Sequence, residues 1–246
     1  MLVLLPPSET KSDGGKGAPL DLGELALPKL TATRELLVNT LVELAADEEA
    51  SSAALGLSAG QADEIARNAA LWTSPTRPAL DRYTGVLFDA LDARSFTRTQ
   101  KAKALTRLAI GSALFGVVRA GDPIPAYRLS GGSKLPGMGT LAALWKPELT
   151  SALEAEADGL VVDLRSGTYQ QLGPVPGAVV ATVLTEKPDG TRSVVSHFNK
   201  HHKGLLARAL VVSRAEPTDV KGVARVASKA GLTVEIASPT ELVILT

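Results

Sequence analysis

Four stretches of this sequence place polar, chemistry-bearing residues directly after apolar runs. The richest is Ser196 to Arg208 (SHFNKHHKGLLAR), which holds all three histidines, two lysines and an arginine. It follows an alternating run, Thr191 to Phe198, that reads as a strand. A strand end that turns into a helix while carrying cations suits an anion, because helix N-terminal N–H groups and basic side chains converge there. His201 and His202 add groups that change charge near neutral pH. The competing reading is a solvated basic turn. Ser8 to Lys11 follows the apolar run Leu2 to Leu5, Arg119 to Arg128 (RAGDPIPAYR) follows Ile110 to Val118, and Asp163 to Tyr169 closes Leu160 to Leu164.

Charged groups at the ends of buried strands are how an α/β protein commonly lines a pocket. The expected contents are Lys11, Arg128, Asp163, Arg165, Lys200 and Arg208, a cationic set with one acid, suited to a phosphate or carboxylate. Lys200, Tyr127 and Asp163 are the candidates for acid–base work. The competing readings are a capping turn at Ser8 to Lys11 and an Arg119–Asp122 brace. No G-x-S-x-G or H-E-x-x-H motif is present, and the Ser12–Gly17 loop lacks Walker spacing. The histidine pair has no carboxylate partner at helical spacing, so neither a metal nor a cofactor is expected.

The elements that must position these groups follow from periodicity. Leu2 to Leu5, ended by Pro6-Pro7, reads as a buried central strand. Helical spacing covers Thr33 to Glu49, Ser58 to Trp72, Tyr83 to Leu91, Thr97 to Ala109, Leu141 to Ala157 and Thr218 to Ala230, with another helix from Gly204 to about Arg214. Ile110 to Val118 reads as one buried strand, Arg119 to Arg128 as a rigid extended loop, and Leu160 to Leu164 as a further strand. Ala178 to Leu184 and Ser193 to Phe198 form a hairpin through Pro188-Asp189-Gly190. Leu232 to Ile236 and Leu242 to Leu245 close the chain as a strand pair. The first two helices, joined through AALGLSAG, could form a helix–hairpin–helix offering backbone N–H groups to a DNA phosphate, against the commoner packing hairpin. Arg98, Lys101 and Arg107 share one face of the Thr97–Ala109 helix, with Lys103 beside them, and make it a candidate to follow a nucleic-acid backbone.

A 246-residue chain with 45% hydrophobic residues has enough apolar material for one large domain. The absence of cysteine excludes disulfides and thiolate chemistry and fits a reducing compartment. The first residues read as a strand, not a signal peptide, and no apolar run would span a bilayer. Formal net charge is zero, yet the charge is blocked: 76–134 holds 10 basic and 4 acidic residues, and 190–246 holds 8 and 4. Brought together, these blocks would give a neutral protein one positive face for a phosphate-bearing partner. Nothing in the pattern assigns an oligomeric state.

Read together and in order, LVLLPPSETK, YTGVLFDAL, SALFGVVRAGDPIPAYRL, LAALW, VVDLRSGTY and SHFNKHHKGLLAR resemble the YaaA peroxide-stress family over nearly the whole chain. Ser8-Glu9 and His201-His202 are the departures from its pattern. The resemblance implies one mixed α/β domain over 1–246, with a central mixed sheet flanked by helices. It implies a cytoplasmic protein that protects against hydrogen peroxide by limiting free intracellular iron, and DNA binding through a basic cleft with a helix–hairpin–helix. Lys11, Tyr83, Gly85, Arg119, Asp122, Tyr127, Arg128, Asp163, Ser166, Tyr169, Lys200, Lys203, Gly204 and Arg208 match family motif positions. Two expectations result. One is an anion pocket built from Ser8, Lys11, Arg119, Tyr127, Arg128, Asp163, Arg165, Ser166, Tyr169, Lys200, Lys203 and Arg208. The other is a DNA face built from Arg98, Lys101, Arg107, Lys200, Lys203 and Arg208.

Overall fold

The computed structural model describes residues 1–187, 189–194 and 196–246, without the side chains of Ala59, Ser196, His197 and Phe198. Its strands are β1 (Leu2–Leu5), β2 (Arg77–Pro78), β3 (Leu108–Ser112), β4 (Gly116–Arg119), β5 (Pro123–Ile124), β6 (Val161–Asp163), β7 (Val179–Glu186), β8 (Arg192–Ser193), β9 (Thr233–Ser238) and β10 (Glu241–Leu245). Its helices are α1 (Thr31–Leu44), α2 (Glu48–Leu55), α3 (Ala62–Ala69), α4 (Ala79–Arg82), α5 (Val86–Leu91), α6 (Arg98–Arg107), α7 (Leu141–Glu156), α8 (Gly167–Leu172), α9 (Ser196–Val212) and α10 (Val220–Lys229).

The main sheet runs β4-β3-β1-β6-β7-β10-β9, with β8 paired to β7. β3, β1, β6, β7 and β10 are mutually parallel, and antiparallel β4 and β9 close the two ends. The fold is therefore mixed α/β, with helices flanking one sheet and one aliphatic core extending from Leu2 to Ile244. β1 lies near the middle and is buried throughout, as a strand covered on both faces must be. Counting only parallel strands, the order is second, first, third, fourth, fifth. The chain leaves β1 toward β3, then crosses to the other side at β6. In open α/β sheets a ligand crevice forms at that reversal, outside the carboxyl ends of the two strands.

Three sequence expectations are corrected. Ile110 to Val118 is not one strand. The chain reverses between Ser112 and Gly116: Phe115 N–H donates to Ser112 Oγ (2.9 Å), and Gly116 takes the left-handed conformation (φ 71°). Trp145 Nε1 donates to Ala113 O (2.8 Å), and Arg34 donates to Phe115 O and Val117 O (3.1 and 2.9 Å), so the buried turn carbonyls are paired. The expected strand Ser193 to Phe198 is limited to Arg192–Ser193 on the β7 edge, with Val195 outside the described residues. From Ser196 the chain is helix, eight residues before Gly204. The apolar and close-packing positions Lys203, Gly204, Leu206, Ala207, Leu210 and Val211 are all buried at helical spacing. Gly204 meets α5 so closely that a Cβ would run into Leu87 O and Ala90. The β7–β8 hairpin itself is present, although Pro188 of its turn lies outside the described residues.

The third correction is at the N-terminal helices. α1 ends at Leu44 because Asp47 starts a new helix, its carboxylate accepting from Ala50 N (2.9 Å). Part of the expected connection is thus α2, which ends at Gly56 in the left-handed conformation (φ 64°) before α3. α6 begins at a capping box between Thr97 and Gln100.

Candidate functional site

Because β1, β3 and β6 are parallel, the residues that follow them emerge at one edge of the sheet. Ser8, Glu9, Thr10 and Lys11 come from β1, Ser112 ends β3, and Asp163, Arg165 and Ser166 come from β6. The segment after β5 returns to the same edge, where Tyr127 Oη meets Ser112 Oγ (2.7 Å) and Tyr83 Oη (2.8 Å). Both phenols are buried, and burial pushes both above the ordinary tyrosine range, so they stay protonated at neutral pH.

The β1 loop is clamped onto the segment before α5. Lys11 bridges to Tyr83, Ser12 N donates to Arg82 O (2.8 Å), and Thr84 Oγ1 donates to Thr10 Oγ1 (3.1 Å). Gly85 (φ 96°) turns beside Ser8 and Thr10. Lys11 Nζ donates to Ser8 O (3.1 Å) and Glu9 O (3.3 Å) and lies 4.1 Å from the centre of the Tyr127 ring. Burial pulls its ammonium down to about 7, outweighing the Glu9 and Glu64 carboxylates that favour the charged form. Glu9 itself pairs with Arg128 (2.8 Å), whose backbone is held by Asn68.

Across the reversal, the β6 loop is braced internally. Asp163 accepts two bonds from the buried Arg165 guanidinium (2.9 and 2.7 Å), and Gly173 O takes a third (2.8 Å). Arg165 Nη1 has no acceptor among the described residues. Gly111 of β3 leaves the room that the Arg165 side chain occupies. Lys203 of α9 reaches Leu164 O (3.0 Å) and is buried, which lowers its proton affinity. Tyr169 Oη accepts from Gly131 N (3.1 Å) and is pushed up to about 12 by burial.

Between these walls lies a cavity of about 470 Å³, lined by Glu9, Arg165, Ser166, Tyr169, Lys200 and Lys203 among others. Glu9 is the one acid among the described lining residues, and it is already paired. A larger groove of about 850 Å³ lies beyond Tyr83, but there Lys16, Arg77 and Arg94 face Asp81, Asp89 and Asp92. Of these two, the smaller cavity carries the uncompensated positive lining among the described residues.

The structure separates the remaining expected residues from this edge. Arg119 pairs in register with Ala109 near the start of β3, so it stands at the opposite, amino edge. There it donates to Thr106 O, pairs with Glu156 (3.4 Å), and presents its backbone N–H to Asp122 (2.9 Å). Arg107 donates to Leu210 O (2.7 Å) and pairs with Glu216, at the C-terminal end of α9. Arg208 binds Leu91 O and Asp92 O (2.9 and 3.0 Å) at the end of α5 and lies over Phe96. Arg98 and Lys101 are exposed and make no ion pair among the described residues. His201 is exposed and stacks edge-on with His202 (5.3 Å). No group of three or more His, Asp or Glu side chains among the described residues is placed to hold a metal.

Sequence reasoning missed Glu9 as the partner of Arg128, and it missed Ser112. Ser112 was hidden because the run through it reads as continuous strand. A serine between small and apolar residues four positions before a glycine was the available signal for a turn.

The fold defines an open mixed α/β protein with a cleft at the strand-order reversal. The chain belongs to the family described as peroxide stress protein YaaA, which it matches over residues 1–235. It is 55% identical over 240 residues to a UPF0246 protein of Corynebacterium efficiens, covering 96% of this chain and 95% of that one. It is 46% identical over 245 residues to one from Streptomyces coelicolor, covering 98% and 94%. No helix among the described residues is long and apolar enough to cross a membrane.

Proposed function

We propose that this chain serves the peroxide-stress role of its family by holding a phosphate-bearing ligand in the cleft at the carboxyl edge of β1 and β6. The observation that carries this reading is the lining of the 470 Å³ cavity, where Lys200 and Lys203, neither of them ion-paired among the described residues, face a single acid already neutralised by Arg128. Ser166 adds a hydroxyl to the lining. A phosphate would accept from that hydroxyl and from the two ammonium groups together. The direct test is thermal stabilisation by inorganic phosphate and pyrophosphate, in wild type and Lys200→Ala. Stabilisation that weakens in the variant supports the reading; a flat response in wild type removes it.

A second reading keeps the same chemistry on a larger partner. Arg98 and Lys101 are exposed cations at the start of α6. They suit the backbone of duplex or branched DNA without sequence preference. The α2–Gly56–α3 turn is then the helix–hairpin–helix element. Protection would take place in the cytoplasm, with lower free iron and less damage as its outcome. Fluorescence anisotropy of labelled duplex and branched DNA at two salt concentrations tests it. Affinity that falls steeply with salt and drops in Arg98→Ala/Lys101→Ala supports it, and no binding at low salt ends it.

A further inference from the structure

We propose that the ligand of the cleft is a phosphate monoester bearing free hydroxyl groups, a sugar phosphate, and that Glu9 selects it by accepting from those hydroxyls. The inference rests on the phosphate-cleft reading and deepens it by naming the substrate class. A cavity of about 470 Å³ lies in the range of small-molecule sites, and inorganic phosphate would leave most of it to water. Glu9 lines that cavity together with Lys200 and Lys203. An ionised carboxylate only accepts, so it repels a phosphate and favours ligand groups that donate. Glu9 Oε2 pairs with Arg128 Nη1 (2.8 Å), while its other oxygen has no partner among the described residues. The Glu9 side chain is 50% exposed, and an ion pair so open to water adds little stability. Arg128 does not depend on it, because Asn68 holds the Arg128 backbone N–H and C=O at 2.8 Å each. The carboxylate is nevertheless fixed in place. Pro6 and Pro7 stiffen its loop, and Lys11 Nζ ties Ser8 O to Glu9 O (3.1 and 3.3 Å).

The rest of the lining divides by the same chemistry. Lys200, Lys203 and Ser166 supply the donors that a phosphate takes. Lys203 donates to Leu164 O at 3.0 Å and to Arg165 O at 3.5 Å, which leaves its third N–H for a ligand. Gln170 and Asn199 line the same cavity, and both are partly buried. Their side-chain amides make no hydrogen bond to a described residue. An amide donates and accepts, as a hydroxyl does, so it matches an alcohol group on both counts, whereas an ionised phosphate only accepts. A ligand that met the lysines and Ser166 alone would leave one carboxylate oxygen and two amides without a match. Two sources supply the matching chemistry: a free sugar phosphate, or the ribose phosphate of a 5′-nucleotide.

The test is isothermal titration calorimetry on the whole protein at fixed ionic strength. The probes are butyl phosphate, which has no hydroxyl on its chain, ribose 5-phosphate, AMP and 2′,3′-dideoxy-AMP. In wild type, ribose 5-phosphate or AMP should bind about tenfold more tightly than butyl phosphate, as a hydrogen bond to a charged group is worth. Glu9→Ala should erase that preference and bind butyl phosphate more tightly than wild type, because the described lining loses its one acid. Glu9→Gln keeps an acceptor oxygen and should retain part of the preference. A preference for ribose 5-phosphate over AMP identifies a free sugar phosphate. An AMP preference lost in the dideoxy form identifies a nucleotide. Equal binding of butyl phosphate and ribose 5-phosphate, with any AMP preference surviving in the dideoxy form, overturns the proposal and leaves the phosphate cleft standing. A preference that Glu9→Ala leaves intact, or an equal weakening of every probe in that variant, overturns it as well. No binding of any phosphate removes both.

Discussion

The two edges of the sheet use the same residue types to opposite effect. At the amino edge Lys103, Arg107 and Arg119 end on Ser213 O, Leu210 O and Thr106 O, and Glu216 and Glu156 balance their charge. Lys103 and Arg107 thereby satisfy carbonyls at the end of α9, where a helix dipole also favours cations. At the carboxyl edge the cations outnumber their partners. Arg165 and Arg128 each have one acid, while Lys11, Lys200 and Lys203 have no ion pair among the described residues. A cation paired at both carbonyl and carboxylate is a brace. A cation whose surroundings leave charge or donors over is available to a ligand. Strand direction, not residue type, sorts one from the other.

The largest effect expected from breaking this contrast is at Asp163–Arg165. Arg165→Met leaves a buried carboxylate unpaired and should cost about 3–5 kcal/mol in denaturant unfolding. A loss below about 1 kcal/mol would mean that the pair is solvated and the wall less rigid than described. Gly204→Ala forces α9 off α5 and should cost about 1–3 kcal/mol, with the cleft disturbed through Lys203. Arg107→Met, at the other edge, should also cost about 1–3 kcal/mol by orphaning Leu210 O, yet leave phosphate binding unchanged.

The pH response sharpens the comparison further. Lys11 has a lower proton affinity folded than unfolded, so the unfolded chain binds the extra proton between about pH 7 and the ordinary lysine range. Its contribution to stability therefore rises with pH across that window and is absent below it. Lys11→Met should flatten the stability–pH curve there by at most about 1.4 kcal/mol per pH unit. An unchanged slope would place Lys11 in solvent. The smallest stability effect belongs to Lys200→Ala, expected within about 0.5 kcal/mol because the residue is exposed, while its ligand response falls.

Much of the sheet was legible because its strands are short, apolar and ended by Pro, Gly or charge, as at Leu2–Leu5 with Pro6-Pro7. The sheet edge beside the cavity was legible for the same reason: Lys11, Asp163, Arg165 and Ser166 follow such strands, and of these Arg165 and Ser166 line the cavity. Arg119 was expected there because the run before it shows no break, and the reversal at Ser112 is encoded in one hydroxyl and one glycine. The start of α9 was misread for a different reason. Helical periodicity in SHFNKHHKGLLAR is carried by Lys203 and Gly204, residue types that do not register as core, so the helix was expected to begin only at Gly204. Lys203 is buried because Leu164 O awaits it, a partner supplied by tertiary packing alone.

The measurement that bears most directly on the account is thermal stabilisation by pyrophosphate in wild type, Lys200→Ala and Arg107→Met. The account predicts a clear shift in wild type, a reduced one in Lys200→Ala, and a shift of wild-type size in Arg107→Met despite its lower starting Tm. Equal loss in both variants, or no shift in any, would contradict the assignment of ligand binding to the carboxyl edge.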